Sequence, residues 1–348
     1  MIWFYSKFQA GKDTLFFIPF YQNNLVSPSY FFDVIIIFAT SNAIWFINGL
    51  NRCYSQKIQA VMIKEMPHFL DMDDERHYNL ENARYVLLGV PYDGTSTFVK
   101  GADKGPQAIL DASDSLELYD IQYQYEAWTA GIHTDHHNYD FRTPETMVKS
   151  VYNRVKFFLE SGKRIALTGG EHSVSVGAIQ AMAEAHHDLT VLQIDAHADL
   201  RDSYHDSPYN HACVMRRAQE CARVVQVGIR NVCAEELPNV VPENIFYAHL
   251  IHNQEDWMEK AVERLTDNVY ITVDLDGFDP SILPATGTPL PGGLQWYPTL
   301  KFLEMVFRTR KVVGFDVVEL CPQPDSKVSD VMAATLVYKM ITLWDMLG

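Results

Sequence analysis

Two short acidic runs, Asp195-Ala196-His197-Ala198-Asp199 and Asp274-Leu275-Asp276-Gly277-Phe278-Asp279-Pro280, carry the residue types of a metal centre. Each follows an apolar stretch that reads as a buried strand, residues 190–194 and 268–273. Side chains two apart on a strand share a face, so Asp195, His197 and Asp199 converge if the extended run continues, as do Asp274 and Asp276. Carboxylates crowded at the end of a buried strand repel one another and lose hydration. A bound cation turns that repulsion into attraction. His172, Asp195, His197, Asp199, Asp274 and Asp276 form the candidate ligand set. Four carboxylates match the charge of two divalent ions, and oxygen-rich ligands with limited imidazole suit manganese. Two adjacent ions can bridge a water, lower its pKa and deliver hydroxide to an electrophilic carbon.

The elements that must position these residues alternate. Strands are expected at 85–90, 164–168, 190–195, 224–229, 245–249, 269–274 and 312–318. Helices are expected after Gly105-Pro106 and at 144–161, 174–185, 211–220, 254–265, 298–308 and 329–346. Strands apolar on both faces, alternating with helices, indicate an α/β fold: a mainly parallel central sheet with helices on both sides. In such sheets ligands sit beyond the carboxyl ends of the strands. His172, Asp195, Asp274 and Glu319 each follow a different expected strand, so acid and imidazole gather at one sheet edge. Any one of these aspartates taken alone reads better as a helix cap or a surface charge. Their joint placement does not.

A chain of 348 residues can bury a large core, and the net charge of -16 excludes binding nucleic acid through its phosphates. It is compatible with a cationic substrate. The five cysteines are scattered without CxxC spacing, which excludes a disulfide framework and fits a reducing cytoplasm. Residues 1–65 differ in texture from the rest, being rich in Phe, Tyr, Ile and Asn. The window 31–50 approaches the length of a membrane span, but Asp33, Ser41, Asn42 and Asn48 interrupt it. The segment reads as an anchor, an atypical extension or upstream sequence ahead of a true start at Met62 or Met66. One domain is expected over 66–348, without a membrane association.

At three motifs the chain resembles the ureohydrolase (arginase/agmatinase) family, most closely its agmatinase branch. These are Gly169-Gly170-Glu171-His172-Ser173 and the two acidic runs. Val90-Pro91-Tyr92-Asp93-Gly94-Thr95 and Gly287-Thr288-Pro289-Leu290-Pro291-Gly292-Gly293 add to the likeness, which covers about residues 66–348. The resemblance implies a three-layer α/β/α sandwich, a homo-oligomer (trimer or hexamer) and two manganese ions per subunit. One ion would take His172, Asp195, Asp199 and Asp274; the other would take His197, Asp195, Asp274 and Asp276. Hydroxide held between them would attack the guanidinium carbon of a small cationic guanidino substrate, with Asp199 hydrogen-bonding that hydroxide. His211 matches the histidine that relays protons near the leaving amine, and Glu319 the acid that clamps the guanidinium. Glu171, Thr272, Ala212 and Cys321 depart from the common pattern, and none of them is a ligand.

Arginase-like members carry a Ser-Gly-Asn run before the relay histidine, for the substrate's α-carboxylate and α-amino group. The corresponding loop, from Asp202 to Asn210, lacks it and offers acids and tyrosines instead. Agmatine, giving putrescine and urea in polyamine biosynthesis, is therefore the expected substrate, with Asp202, Tyr204 or Asp206 near its distal amine. A sister guanidino hydrolase (guanidinobutyrase, guanidinopropionase, arginase or formiminoglutamase) would keep the metals and change the tail pocket. A single-zinc deacetylase would not need this many acids, and a non-catalytic metal-binding homologue would have lost a ligand or the relay. His133, His136, His137, His186 and His187 read as surface, and Tyr119, Tyr123, Tyr125 and Trp128 as packing or subunit contact.

Overall fold

Strand β1 (Tyr85–Val90) founds an eight-stranded sheet with β2 (Ile132–Asp135), β3 (Arg164–Gly169), β4 (Leu189–Ile194), β5 (Arg223–Ile229), β6 (Ile245–Tyr247), β7 (Asn268–Asp274) and β8 (Lys311–Val318). The order across the sheet is β6-β5-β4-β7-β8-β3-β1-β2, and every pairing is parallel. This computed structural model describes residues 67–348 throughout, and before them the backbone of four short antiparallel strands between Phe8 and Trp45. The chain divides into two compact units, Met1–Met66 and Pro67–Gly348. The side chains of the window 31–50, with Met62 and Met66, lie outside the described residues.

Both faces of the sheet are covered, as parallel strands apolar on both sides require. Helices α1 (Gly105–Ser113), α6 (Trp257–Glu263), α7 (Trp296–Thr309) and α8 (Val328–Leu347) pack on the face that carries Leu192, Ile194, Ile271 and Val273. Helices α2 (Pro144–Glu160), α3 (Ser175–Ala185) and α4 (Val214–Ala218) pack on the other, with Val191 and Tyr270. The short α5 (Ala248–Ile251) follows β6 directly. The result is the three-layer α/β/α sandwich, and its sheet is parallel throughout. Among the described residues no helix is long and apolar enough to cross a membrane, the 20-residue α8 included.

Two departures from the expected elements have local causes. Residues 132–135 form an edge strand that was not expected, because Ile132-His133-Thr134-Asp135 has no apolar run to announce it. Pairing with β1 and a place at the sheet edge suffice for so short a strand. The helix expected at 211–220 starts late: Asn210 caps a 3₁₀ turn, His211–Cys213, and the α-helix begins at Val214.

Strands β4, β7, β8 and β3 are neighbours in the middle of the sheet, and their carboxyl ends are level. Ile194 lies opposite Val273, so Asp195 and Asp274 leave the sheet at the same height. Asp274 lies opposite Val318, the residue before Glu319, and Val317 lies opposite Thr168. With neighbouring strands ~4.8 Å apart, four adjacent ends span only ~14 Å.

Candidate metal centre and active site

The ligand set converges, though by turns rather than by extended chain. β4 ends at Ile194, and Asp199 sits in the left-handed region at φ 52°. Asp195 keeps the face of Gln193, whose amide donates to Asp195 Oδ2 at 2.6 Å. The Gln193 Oε1 in turn accepts from Gln226 Nε2 at 2.6 Å, so two buried amides in adjacent strands hold that carboxylate. Asp274 ends β7, and its Oδ1 accepts the Asp276 N–H at 2.9 Å, capping the 3₁₀ turn Leu275–Gly277 that swings Asp276 inward. Gly277 permits the two acidic loops to touch, because a Cβ there would lie 2.9 Å from the Asp195 nitrogen.

His172 opens a 3₁₀ turn after β3. Its Nδ1 lies 3.1 Å from Asp195 Oδ2, 3.1 Å from Asp199 Oδ2 and 3.3 Å from Asp274 Oδ2. It makes a proper hydrogen bond with none of them and is buried without a partner. The other ring nitrogen, Nε2, is 2.9 Å from Thr272 Oγ1, and that hydroxyl donates to Asp316 Oδ1 at 2.5 Å. With its own proton committed to Asp316, Thr272 accepts from Nε2–H, which turns Nδ1 toward three carboxylates: it carries a proton there while the cage is free of cations and offers its lone pair once that proton leaves. A histidine oriented this way by a hydroxyl and a carboxylate behind it is arranged as a metal ligand.

A second group lies beside the first. His197 Nδ1 is 3.0 Å from Asp276 Oδ2 and 3.7 Å from Asp195 Oδ1. Among the described residues two sets could hold an ion, His172 with Asp195 and Asp199, and Asp195 with His197 and Asp276, so that Asp195 is common to both. Oxygen and imidazole donors without thiolate fit hard divalent cations. The charge state points the same way. Burial, then repulsion from Asp195, pushes the Asp199 carboxyl up to about 7. Burial, with Asp276 and Asp195 nearby, raises Asp274 well above the carboxylate range. Burial disfavours a charged imidazole, yet the facing Asp276 and Asp195 carboxylates outweigh it and hold His197 up at about 12. His172 is likewise raised well above its usual range against burial, by Asp195, Asp199 and Asp274. Without cations, protons must fill the cage. The donor set therefore fits a cation pair.

The cage opens into a cavity of about 420 Å³ lined by His172, His197, Asp199, Asp274, Glu319, His211, Tyr204, Arg201 and Glu236, among others. Glu319 follows β8 in the left-handed region, φ 66°, and its Oε1 accepts the His172 N–H at 2.8 Å. Burial, reinforced by Glu171, raises its carboxyl well above the usual range. The His211 N–H donates to Thr95 Oγ1 at 2.9 Å, its Nδ1 is 3.3 Å from the same oxygen, and that hydroxyl donates to the buried Glu171 at 2.8 Å. Gly170 allows this packing, since a Cβ there would meet Tyr92 O at 1.9 Å. Burial first, then the neighbouring imidazoles, lowers His211 to about 4, so the ring is neutral near neutral pH.

Of the residues expected at the substrate tail, Tyr204 lines the cavity and the two acids do not. Asp202 is exposed and pairs with Arg217 at 2.8 Å and Arg216 at 3.5 Å. Asp206 is exposed at a positive φ of 61°, outside the cavity lining. Arg201, not anticipated, lines the cavity with its guanidinium 4.5 Å over the Tyr204 ring and 2.9 Å from Glu235. The supports Gln193, Gln226, Asp316 and Thr95 were not anticipated either. The signal available for the first three was a polar residue inside an otherwise apolar strand. Tyr123, Tyr125 and Trp128 pack against the core, where Tyr125 donates to Asp345 and Tyr123 reaches Glu304 at 3.5 Å, whereas Tyr119 is exposed.

Comparison with known proteins adds to this geometry. The Arginase family profile matches residues 83–342. The N(1)-aminopropylagmatine ureohydrolase of Synechocystis sp. is 36% identical over 284 residues, 78% of this chain and 93% of that protein. The agmatinase of Pyrococcus horikoshii is 31% identical over 273 residues, 76% of this chain and 93% of its own length. The crystal structure of the agmatine ureohydrolase of Thermoplasma volcanium superposes with a TM-score of 0.68 at 32% identity, covering 76% of this chain and 91% of that one.

Proposed function

The chain is a ureohydrolase of the Arginase family, and we propose that it holds two manganese ions and hydrolyses the guanidinium of agmatine or its aminopropyl derivative, releasing urea and the amine. With agmatine the amine is putrescine. The observation that carries this reading is the buried Asp195, shared between two His–Asp groups that open into a cavity lined also by Glu319 and His211. When bound, a divalent pair supplies a water of lowered pKa, able to attack carbon at neutral pH.

The chain's own groups do the rest. Glu319 has one oxygen engaged by the His172 N–H, which leaves the other to accept from the planar guanidinium in a charge-assisted bond. That contact orients the electrophilic carbon toward the cage. His211, neutral and held through Nδ1 by Thr95, presents Nε2 for moving a proton to the departing amine. Asp199, whose carboxyl sits near neutrality in the cation-free cage, is placed beside His172 to hold the attacking water.

The tail end of the cavity supports a decarboxylated substrate. Arg201 could meet a carboxylate, but Glu235 and the Tyr204 ring already occupy its guanidinium. The buried Glu236 also lines the cavity, and although its oxygens accept the Leu200 and Cys233 N–H groups, its charge would offset that of a cationic tail. The name of the Synechocystis relative supports the longer, aminopropylated substrate as the alternative to agmatine. Cys213, Cys221, Cys233 and Cys321 are free thiols, in keeping with a reducing cytoplasm. A trimer or hexamer belongs to the same proposal, and light scattering measures it.

The test is urea release by manganese-loaded protein on agmatine, aminopropylagmatine and arginine. Efficient turnover of either amine with little of arginine supports the reading. Preference for arginine defeats it.

A further inference from the structure

Arg230 lies one residue beyond β5 and contributes nothing to the cavity wall, yet it touches both ligand loops. Its backbone N–H donates to Ala196 O at 2.8 Å, inside the Asp195–Asp199 run. Its guanidinium donates to the carbonyls of Asp276 at 2.6 Å, Gly277 at 3.3 Å and Phe278 at 3.2 Å. Two further bonds reach Leu290 O, at 2.8 and 3.3 Å, and one reaches Gly228 O at 3.3 Å. All of these guanidinium bonds end on carbonyl oxygens, and among the described residues none ends on a carboxylate. Burial lowers its pKa, while the charges of Asp276, Asp195, Asp279 and Asp274 oppose that change.

A planar fork of donors is the group best suited to gathering several carbonyls at once, and its charge offsets the acids crowded in front of it. The Leu290 bonds matter for a second reason. They hold the loop that carries Thr288, whose hydroxyl donates to Asp276 Oδ2 at 3.0 Å. That is the oxygen 3.0 Å from His197 Nδ1. By contrast, the surroundings of His172 are built from β3, β7 and β8, through Thr272, Asp316 and Glu319, and Arg230 touches none of these.

We propose that Arg230 is a positioning residue for one metal subsite only, that of Asp195, His197 and Asp276, and that its loss leaves the His172 subsite intact. The inference rests on the two-ion reading given above. It predicts a selective defect: the turn bearing Asp276 relaxes, and the second ion is held loosely while the first is not.

The experiment is manganese titration of Arg230→Met and Arg230→Lys, followed by metal analysis and electron paramagnetic resonance, with thermal melting of the metal-free proteins. The Met variant should bind its weaker ion about 10- to 100-fold less tightly, in the range seen for residues that support metal ligands, with the tighter ion unchanged. The spectrum of a coupled manganese pair should give way to that of an isolated ion. The Lys variant keeps the charge without the fork and should recover part of the loss. If the Met variant does not fold, Thr288→Val should reproduce the selective loss, because it removes one oriented bond to Asp276 and no buried charge. Wild-type affinity for both ions in all variants, or equal weakening of both, overturns the inference while leaving the two-ion site standing. A wild-type protein that never takes up a second ion overturns both.

Discussion

Loading the metal-free protein with manganese should expel protons, about two or more for each pair of ions near neutral pH. The number follows from the two imidazoles. His172 and His197 each turn Nδ1 toward carboxylates that hold the ring in its charged form, His197 up to about 12. Neither nitrogen can ligate until its proton leaves, which sets the minimum at one proton per histidine. Asp199, at about 7, adds a fraction of a further proton, Asp274, raised well above the carboxylate range by burial and the acids beside it, adds to the count, and Asp195, held low by both imidazoles despite its burial, adds none. The sign is fixed: protons compete with the cations, so affinity rises with pH. With two protons displaced, the product of the two association constants climbs ~100-fold per pH unit, or ~2.7 kcal/mol. Titration calorimetry at one pH in buffers of different ionisation enthalpy counts the protons directly, since the slope of the observed heat against buffer enthalpy is the number released. Titrations at two pH values then give the change in affinity. Release of well under one proton, with affinity indifferent to pH, would refute the argument that the cage stores protons in the place of metal.

Other substitutions separate the parts of the site. Thr272→Val keeps the shape but removes the hydroxyl between His172 and Asp316; metal affinity should fall about 10- to 100-fold, and unchanged manganese binding would contradict the orienting role. His211→Ala should lower kcat by about 10²- to 10⁴-fold with metal content untouched, whereas a loss of metal would assign it to the cage instead. Glu319→Gln preserves an acceptor for the His172 N–H and removes the charge; kcat/KM should drop about 10- to 150-fold, the worth of one charged hydrogen bond of ~1.5–3 kcal/mol. Gly277→Ala should lower the melting temperature of the metal-free protein, since a Cβ 2.9 Å from the Asp195 nitrogen forces the acidic loops apart at a cost of ~1–3 kcal/mol.

What the sequence made legible, and what it hid, divides by range. Asp195 and Asp274 could be read because each directly ends an apolar strand, and parallel strands place their carboxyl ends at one edge whatever their order. The order itself, with β4, β7, β8 and β3 adjacent, required pairings between distant residues such as Leu189 with Asn268, Asn268 with Lys311 and Ile165 with Gly314, and no local pattern encodes those. Face parity carried Asp195 correctly and failed at Asp199 and Asp276, where a left-handed residue and an Asx-capped turn replace extended chain. That failure is physical: a strand would carry the later acids away from Asp195 and Asp274, and only a turn curls them back. Composition misled at Asp202 and Asp206, acids that suit an ammonium on paper. Arg217, on the helix that follows, claims the first, and the second faces solvent. Arg230 was hidden for the complementary reason. Its partners are backbone carbonyls, which have no letter in the sequence, so a cation serving a metal site through peptide oxygens looks from the chain alone like any surface arginine. The side chains legible from spacing are those that face into the cage; the supports behind them become visible only when the strands are side by side.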